Sequence, residues 1–216
     1  MSGPSLFVTL EGIEGCGKST QARLLAESLR ETDGRDVVLT REPGGTEVTQ
    51  RIRALLADPA SDLDARCELL LFLADRAQHV ATVLRPALER GAVVVCDRYS
   101  DSTLAYQGYA RGHSLDMLRE LNDWASYGLA PDLTFWIDCD VKVGLARANR
   151  RSGGPGDRFE TEPLAFHERV RNGFSELAEA DSRRFVRVDG TRPKDTVSAE
   201  IRAVTLGRLA ERKASR

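Results

Sequence analysis

The stretch that most constrains this chain lies near its start. Leu6-Phe7-Val8-Thr9-Leu10-Glu11 reads as a buried β-strand, and Gly12-Ile13-Glu14-Gly15-Cys16-Gly17-Lys18-Ser19 follows it. Those eight residues fit G-x-x-x-x-G-K-[ST] without a mismatch. Beyond them Ala22, Leu24, Leu25, Ala26 and Leu29 mark the apolar face of a helix. Glycines let a strand-to-helix turn wrap closely, so that its N–H groups converge at a helix N-terminus, where negative charge is favoured. The pattern therefore predicts a phosphate-binding loop over Gly12, Ile13, Glu14, Gly15, Cys16, Gly17, Lys18, Ser19 and Thr20. In it Lys18 reaches the β- and γ-phosphates of a nucleotide and the Ser19 hydroxyl faces Mg²⁺. This motif alone does not choose among kinase, GTPase and motor.

Strand and helix signals alternate along the rest of the chain. Strands are expected at Asp36–Thr40, Ala92–Asp97, Leu133–Asp138 and Arg184–Asp189. Helices are expected from Thr46 to Ala57, from about Asp64 to Glu89 with a kink or restart at Pro86, and from about Ser114 to Tyr127. Three more are expected from about Val141 to Arg150, Pro163 to Ala180 and Lys194 to Leu209, with frayed polar residues at the end. Five strands so interleaved imply an α/β fold, a five-stranded parallel sheet with helices on both faces. The 216 residues suit a single domain, 1–216, with a Gly-rich flap at about 147–160. Ligands of such sheets bind beyond the carboxyl ends of the strands, where the phosphate loop, Arg41, Asp97 and Arg98 stand.

Composition narrows the partners. Net charge is −2 and no run of like charges stands out, so neither nucleic acid nor a membrane surface is expected as a partner. No apolar stretch is long enough to span a bilayer and no signal pattern opens the chain, which makes a cytoplasmic location the expectation. Cys16, Cys67, Cys96 and Cys139 are widely spaced and read as free thiols, Cys16 being the one placed where it can be reactive. His79, His113 and His167 have no metal-ligand spacing and read as structural or surface residues.

Asp97 ends an almost wholly apolar strand, as a Mg²⁺-holding carboxylate does in phosphate-loop enzymes. Around it stand Arg41-Glu42-Pro43-Gly44-Gly45-Thr46, Phe72 with Arg76, Asp97-Arg98-Tyr99, Tyr106-Gln107-Gly108 and Pro131-Asp132-Leu133-Thr134. In order and spacing these motifs, with the phosphate loop, resemble the bacterial thymidylate kinases over nearly the whole chain. The resemblance implies a nucleoside monophosphate kinase-like three-layer α/β/α fold, ATP and Mg²⁺, and transfer of the ATP γ-phosphoryl to dTMP. It also implies a homodimer. By position Arg41 and Arg98 resemble the arginines that grip the dTMP phosphate, and Arg98 counts among the catalytic residues with Lys18. Phe72 resembles the aromatic stacked on thymine, and Arg76, one turn later on the same helix face, the donor to its O4. Thr103 and Gln107 would meet the base edge. Tyr106 would sit under the deoxyribose, and Glu14 would contact the 3′-hydroxyl. Ser19 and Asp97 would hold the metal.

Some members of the family carry an arginine in the phosphate loop where this chain has Gly15. Members without it use arginines of the lid, and the lid here offers Arg147, Arg150, Arg151 and Arg158. Arg151 and Arg158 are the expected catalytic pair. Two other classes compete. A deoxynucleoside kinase would need a carboxylate base at the end of the second strand, a place where Glu42 stands behind Arg41. A GTPase switch would need N-K-x-D, which is absent.

Overall fold

A computed structural model describes residues 5–152 and 156–214; the side chains at 32, 33, 151 and 152 lie outside that description. The Gly153-Gly154-Pro155 portion of the flap lies outside it as well, and the last helix, expected to end at about Leu209 with frayed residues beyond, instead runs on to Ala214. β1 (Leu6–Glu11), β2 (Val37–Arg41), β3 (Val93–Asp97), β4 (Leu133–Asp138) and β5 (Phe185–Asp189) form one sheet in the order β2-β3-β1-β4-β5. Every pairing is parallel. The central strands β1 and β4 are buried along their whole length, as a sheet covered on both faces requires.

Alternate side chains sort to the two faces. Leu6, Val8 and Leu10 of β1 with Val93 and Val95 of β3 join the larger core, which takes Ala22, Leu25, Ala26 and Leu29 from α1 (Lys18–Asp33). Phe7, Val94 and Cys96 point the other way, onto Val80, Leu84 and Ala87. The layering is therefore helix, sheet, helix, as the alternating pattern predicts.

Between the strands the helices fall close to their expected limits. α2 (Glu47–Ala57) is capped by Thr46, whose hydroxyl accepts from Thr49 N–H while the Thr49 hydroxyl takes the Thr46 N–H. The long helix is α3 (Ala65–His79), a π-helical turn at Val80–Leu84, and α4 (Arg85–Glu89). Pro86 neither breaks nor sharply ends it, because the wider turn ahead absorbs the missing N–H and α4 restarts with proline in its first turn. After β3 come α5 (Ser100–Thr103) and a π-helical stretch, Leu104–Ala110, then α6 (Leu115–Ser126). The remaining helices are α7 (Val141–Ser152), α8 (Leu164–Ala180) and α9 (Lys194–Ala214).

Register brings the key residues to one edge. Asp97 pairs with Leu10 on one side and Arg41 on the other, so the phosphate loop, Arg41 and Asp97 stand level at the carboxyl ends of neighbouring strands.

Candidate active site

A cavity of about 480 Å³ opens at that edge. Its floor at one end is the phosphate loop from Glu14 to Thr20. Lys18 is buried; its ammonium donates to the Ile13 carbonyl at 2.6 Å and lies 3.6 Å from Cys16 Sγ. The Ser19 hydroxyl donates to Asp97 Oδ2, while Asp97 Oδ1 is buried without a hydrogen-bond partner. Two hard oxygen ligands, one of them unsatisfied, are the donor chemistry a Mg²⁺ ion takes alongside phosphate oxygens and water. Among the described residues no cluster of three His, Cys, Asp or Glu side chains competes for a metal.

Gly15 explains its own identity. Its φ is +68°, and a Cβ there would lie 1.9 Å from the Gly144 carbonyl of α7. Helix α7 thus occupies the space through which any side chain at position 15 would leave the loop, so the loop carries no arginine.

Beyond the loop, Arg98 directly follows β3 with φ +71°, a conformation costly for a residue with a side chain. The turn is held from beneath by the buried Glu11, which accepts from Tyr99 N–H at 2.7 Å and the Ser102 hydroxyl at 2.6 Å. Burial pushes the Glu11 carboxyl up to about 7, with Asp101 adding to the effect. So braced, the Arg98 guanidinium donates to the Gly12 carbonyl and Glu14 at 2.9 Å each, and to the Tyr106 hydroxyl at 2.9 Å. Burial alone would lower its pKa, but Tyr106, Glu14, Glu11 and Asp97 hold it above the ordinary arginine range. Glu14 also accepts from the Tyr106 hydroxyl and has His167 Nδ1 at 3.2 Å. Burial would raise its pKa; His167, Arg98 and Lys18 overcome that and keep it a carboxylate.

Two more arginines face Arg98 across the cavity. Arg41 stands exposed at the end of β2, and Arg53 reaches in from α2, donating to the Pro43 carbonyl at 3.1 Å. Gly44, with φ +96°, makes the passage: a Cβ there would meet Arg53 Cδ at 2.9 Å. Burial lowers the Arg53 pKa, and the cations Arg41 and Arg98 lower it further against Asp157 and Asp97. Three guanidiniums converging on one end of a cavity suit an anion, which each can meet with charge-assisted hydrogen bonds.

At the far end Phe72, Thr103, Tyr106, Gln107 and Phe159 line the cavity. The Phe159 ring stands 5.9 Å from those of Phe72 and Tyr106. Arg76 does not line the cavity; it is 1% exposed and donates to Glu42, Thr103 and Asn122. The Glu42 carboxylate is engaged on both oxygens, by Arg76 at 2.9 Å and His79 Nδ1 at 2.9 Å. A carboxylate so paired does not serve as a general base, which weighs against the deoxynucleoside kinase reading.

The lid arginines part company. Arg147 lines the cavity and donates to the Gly190 carbonyl at 3.0 Å. Arg150 is exposed, and the Arg151 side chain lies outside the described residues. Arg158, expected at the transferring phosphoryl, is instead anchored at the other end, with Nε donating to the Leu56 carbonyl at 3.1 Å and Nη2 2.6 Å from Glu68 Oε2. Sequence reasoning missed Arg53, Glu11, His167 and Phe159. Arg53 reads as a solvated helix charge until Gly44 is seen to admit it, and His167 has no neighbour in sequence that betrays Glu14.

The family model described as thymidylate kinase matches residues 10–201. Thymidylate kinases of Desulfovibrio desulfuricans and Deinococcus radiodurans are 51% and 52% identical to this chain, over 96% and 91% of it and 98% and 94% of their own lengths. The crystal structure of thymidylate kinase from Ehrlichia chaffeensis superposes with a TM-score of 0.77 at 38% identity, covering 94% of this chain and 99% of that one. The chain belongs to the thymidylate kinase family. It is accordingly a nucleoside monophosphate kinase acting on dTMP, and the resemblance read from the loop, the Arg41 segment and the Asp97-Arg98-Tyr99 segment holds. The family's fold and the five-stranded parallel sheet agree.

Proposed function

We propose that the cavity takes dTMP with its phosphate among Arg41, Arg53 and Arg98, facing ATP on the phosphate loop. The observation that carries this reading is the convergence of Arg41, Arg53 and Arg98 on the cavity that the phosphate loop also lines, where a phosphate dianion would meet all three. Phe72 stacks on thymine, and Thr103 and Gln107 meet the base edge. Arg76, buried behind the cavity wall with its Nη1 shared between Thr103 and Asn122, acts on the base through Thr103, which it orients, rather than as the direct donor the resemblance implies. Tyr106 lies under the deoxyribose and fills the space of a 2′-hydroxyl. Glu14, kept ionised by its neighbours, accepts from the 3′-hydroxyl.

Lys18 leaves the Ile13 carbonyl for the β- and γ-phosphates of ATP, and backbone N–H groups of the loop cradle the chain of phosphates. Mg²⁺, held by the Ser19 hydroxyl and Asp97, would neutralise charge between the β- and γ-phosphates. A dTMP phosphate oxygen attacks the γ-phosphorus, the bond to the ADP oxygen breaks, and ADP and dTDP leave. The attacking oxygen is already anionic, so no general base is required and alignment with charge stabilisation carries the rate. Arg98 touches both the acceptor phosphate and Glu14, and holds the acceptor in line. With position 15 closed to any side chain, lid charge reaches the phosphoryl from Arg151 and Arg147. Arg158, the other arginine expected there, is held by Glu68 at the base end.

The protein works as a homodimer in the cytoplasm under this reading. Support comes from its free cysteines, which suit a reducing compartment, and from exposed apolar side chains on α3 and α6.

ADP release with ATP plus dTMP, thymidine or no acceptor tests the assignment. Turnover is expected with dTMP and not with thymidine, because Glu42 is unavailable as a base. Comparable turnover of thymidine would overturn it.

A further inference from the structure

Glu68 lies on α3, one turn before Phe72, and no step of the phosphoryl transfer uses it. It is 1% exposed, yet it is an ionised carboxylate with every neighbour a donor. Its Oε1 accepts from Gln107 Nε2 at 2.9 Å and Arg111 Nε at 3.3 Å. Its Oε2 accepts from Arg111 Nη2 at 3.1 Å and stands 2.6 Å from Arg158 Nη2. Burial would raise its pKa, but the donors from Gln107, Arg111 and Arg158 prevail and lower it.

What matters is where these donors come from. Gln107 is a wall of the base pocket, while Arg158 belongs to the flap. Arg111 extends the tie, since its Nη2 also pairs with Glu162, at 2.6 Å. The segment from Asp157 is a tight turn, with Asp157 Oδ1 accepting from the N–H groups of Phe159 and Glu160. Fixing Arg158 therefore fixes its neighbour Phe159, whose ring meets Phe72 and Tyr106. Arg158 N–H also donates to the Ala57 carbonyl at 2.9 Å, closing the flap onto the end of α2.

We propose that Glu68 is a positioning residue that docks the flap against the nucleobase pocket, so that the orientation of Gln107 and the seating of Phe159 depend on one buried carboxylate. The proposal rests on the assignment of this cavity end to the base of dTMP. It makes Arg158 an anchor of the flap rather than a group at the phosphoryl.

Steady-state kinetics of Glu68→Gln, Arg158→Gln and the double variant test it. The amide keeps the shape of the side chain but loses the charge and faces Gln107 and Arg158 with a donor. Each single variant is expected to raise the dTMP KM about tenfold, with the ATP KM unchanged and kcat altered less. The double variant is expected to be no worse than the worse single one, because both remove the same tie. Unchanged dTMP KM in Arg158→Gln, multiplicative effects in the double variant, or a collapse of kcat at unchanged dTMP KM in Arg158→Gln would each overturn it. A purely structural Glu68 would lower the folded fraction, and hence the apparent kcat, while leaving both KM values in place. Arg158→Gln keeps the test open if Glu68→Gln does not fold, since Arg158 comes from the flap. Wild-type turnover of dTMP in the same assay separates the two readings: absent turnover refutes the base-site assignment, whereas normal turnover with unmoved variants refutes the role of Glu68 alone.

Discussion

Arg53 shows how far a single residue's role depends on what another residue lacks. It stands on an exposed-looking face of α2 and enters the cavity because Gly44 has no Cβ in its path. In the proposed arrangement, truncation to alanine removes a cation that meets the acceptor phosphate and nothing that meets ATP. Arg53→Ala is expected to raise the dTMP KM by roughly 10–100-fold, the equivalent of about 1.5–3 kcal/mol for a lost charged hydrogen bond. The ATP KM should stay within about twofold, and steady-state kinetics with each substrate varied reads both. Equal effects on the two substrates would remove Arg53 from the acceptor site. That Lys18, Ser19, Asp97 and Arg98 line one cavity was legible, because motifs of fixed spacing at strand ends bring them to one edge of the sheet. Arg53, Glu11 and His167 were not, because they act across tens of residues: His167 Nδ1 meets Glu14, 153 positions away.

Among the elements, strands and helix starts were the readable part. Thr46 and Ser114 cap where side-chain chemistry says they should, and the apolar strands pair in parallel. The π-helical stretches at Val80–Leu84 and Leu104–Ala110 were not readable, since a one-residue widening of a helix leaves the apolar pattern almost unchanged. The second of them sets the phase that brings Tyr106 and Gln107 together into the cavity. In the proposed mechanism the lid supplies charge at the transferring phosphoryl. With Gly15 pressed on Gly144, the expected source of transition-state charge is α7 and the segment after it. Arg147→Ala and Arg151→Ala together should lower kcat by roughly 10²-fold or more with little change in dTMP KM, as for an interaction made mainly in the transition state. Near wild-type kcat in that double variant would place the charge elsewhere, with exposed Arg150 the arginine left to test.

For the whole molecule, the sheet, its edge and its cavity account for one protomer but leave apolar surface unexplained. Leu70 on α3 is 61% exposed and Trp124 on α6 is 77% exposed, with Met117 of α6 and Tyr127 just beyond it also open to solvent. α3 and α6 pack against each other, so these side chains belong to adjoining helices. A tryptophan left this open costs its apolar hydration, and large exposed apolar groups on neighbouring elements mark association surfaces. α3 also carries Phe72, which lines the cavity, so a partner covering its outer side would hold a helix of the cavity wall. We expect the protein to sediment at twice its 23.8 kDa chain mass at micromolar concentration. Leu70→Glu with Trp124→Glu should shift it to the chain mass, because two desolvated carboxylates at an apolar interface outweigh what the remaining contacts supply. Sedimentation equilibrium reads this directly. A wild type that is already monomeric would end the proposal of a dimer, and a double variant that stays dimeric would move the interface off α3 and α6.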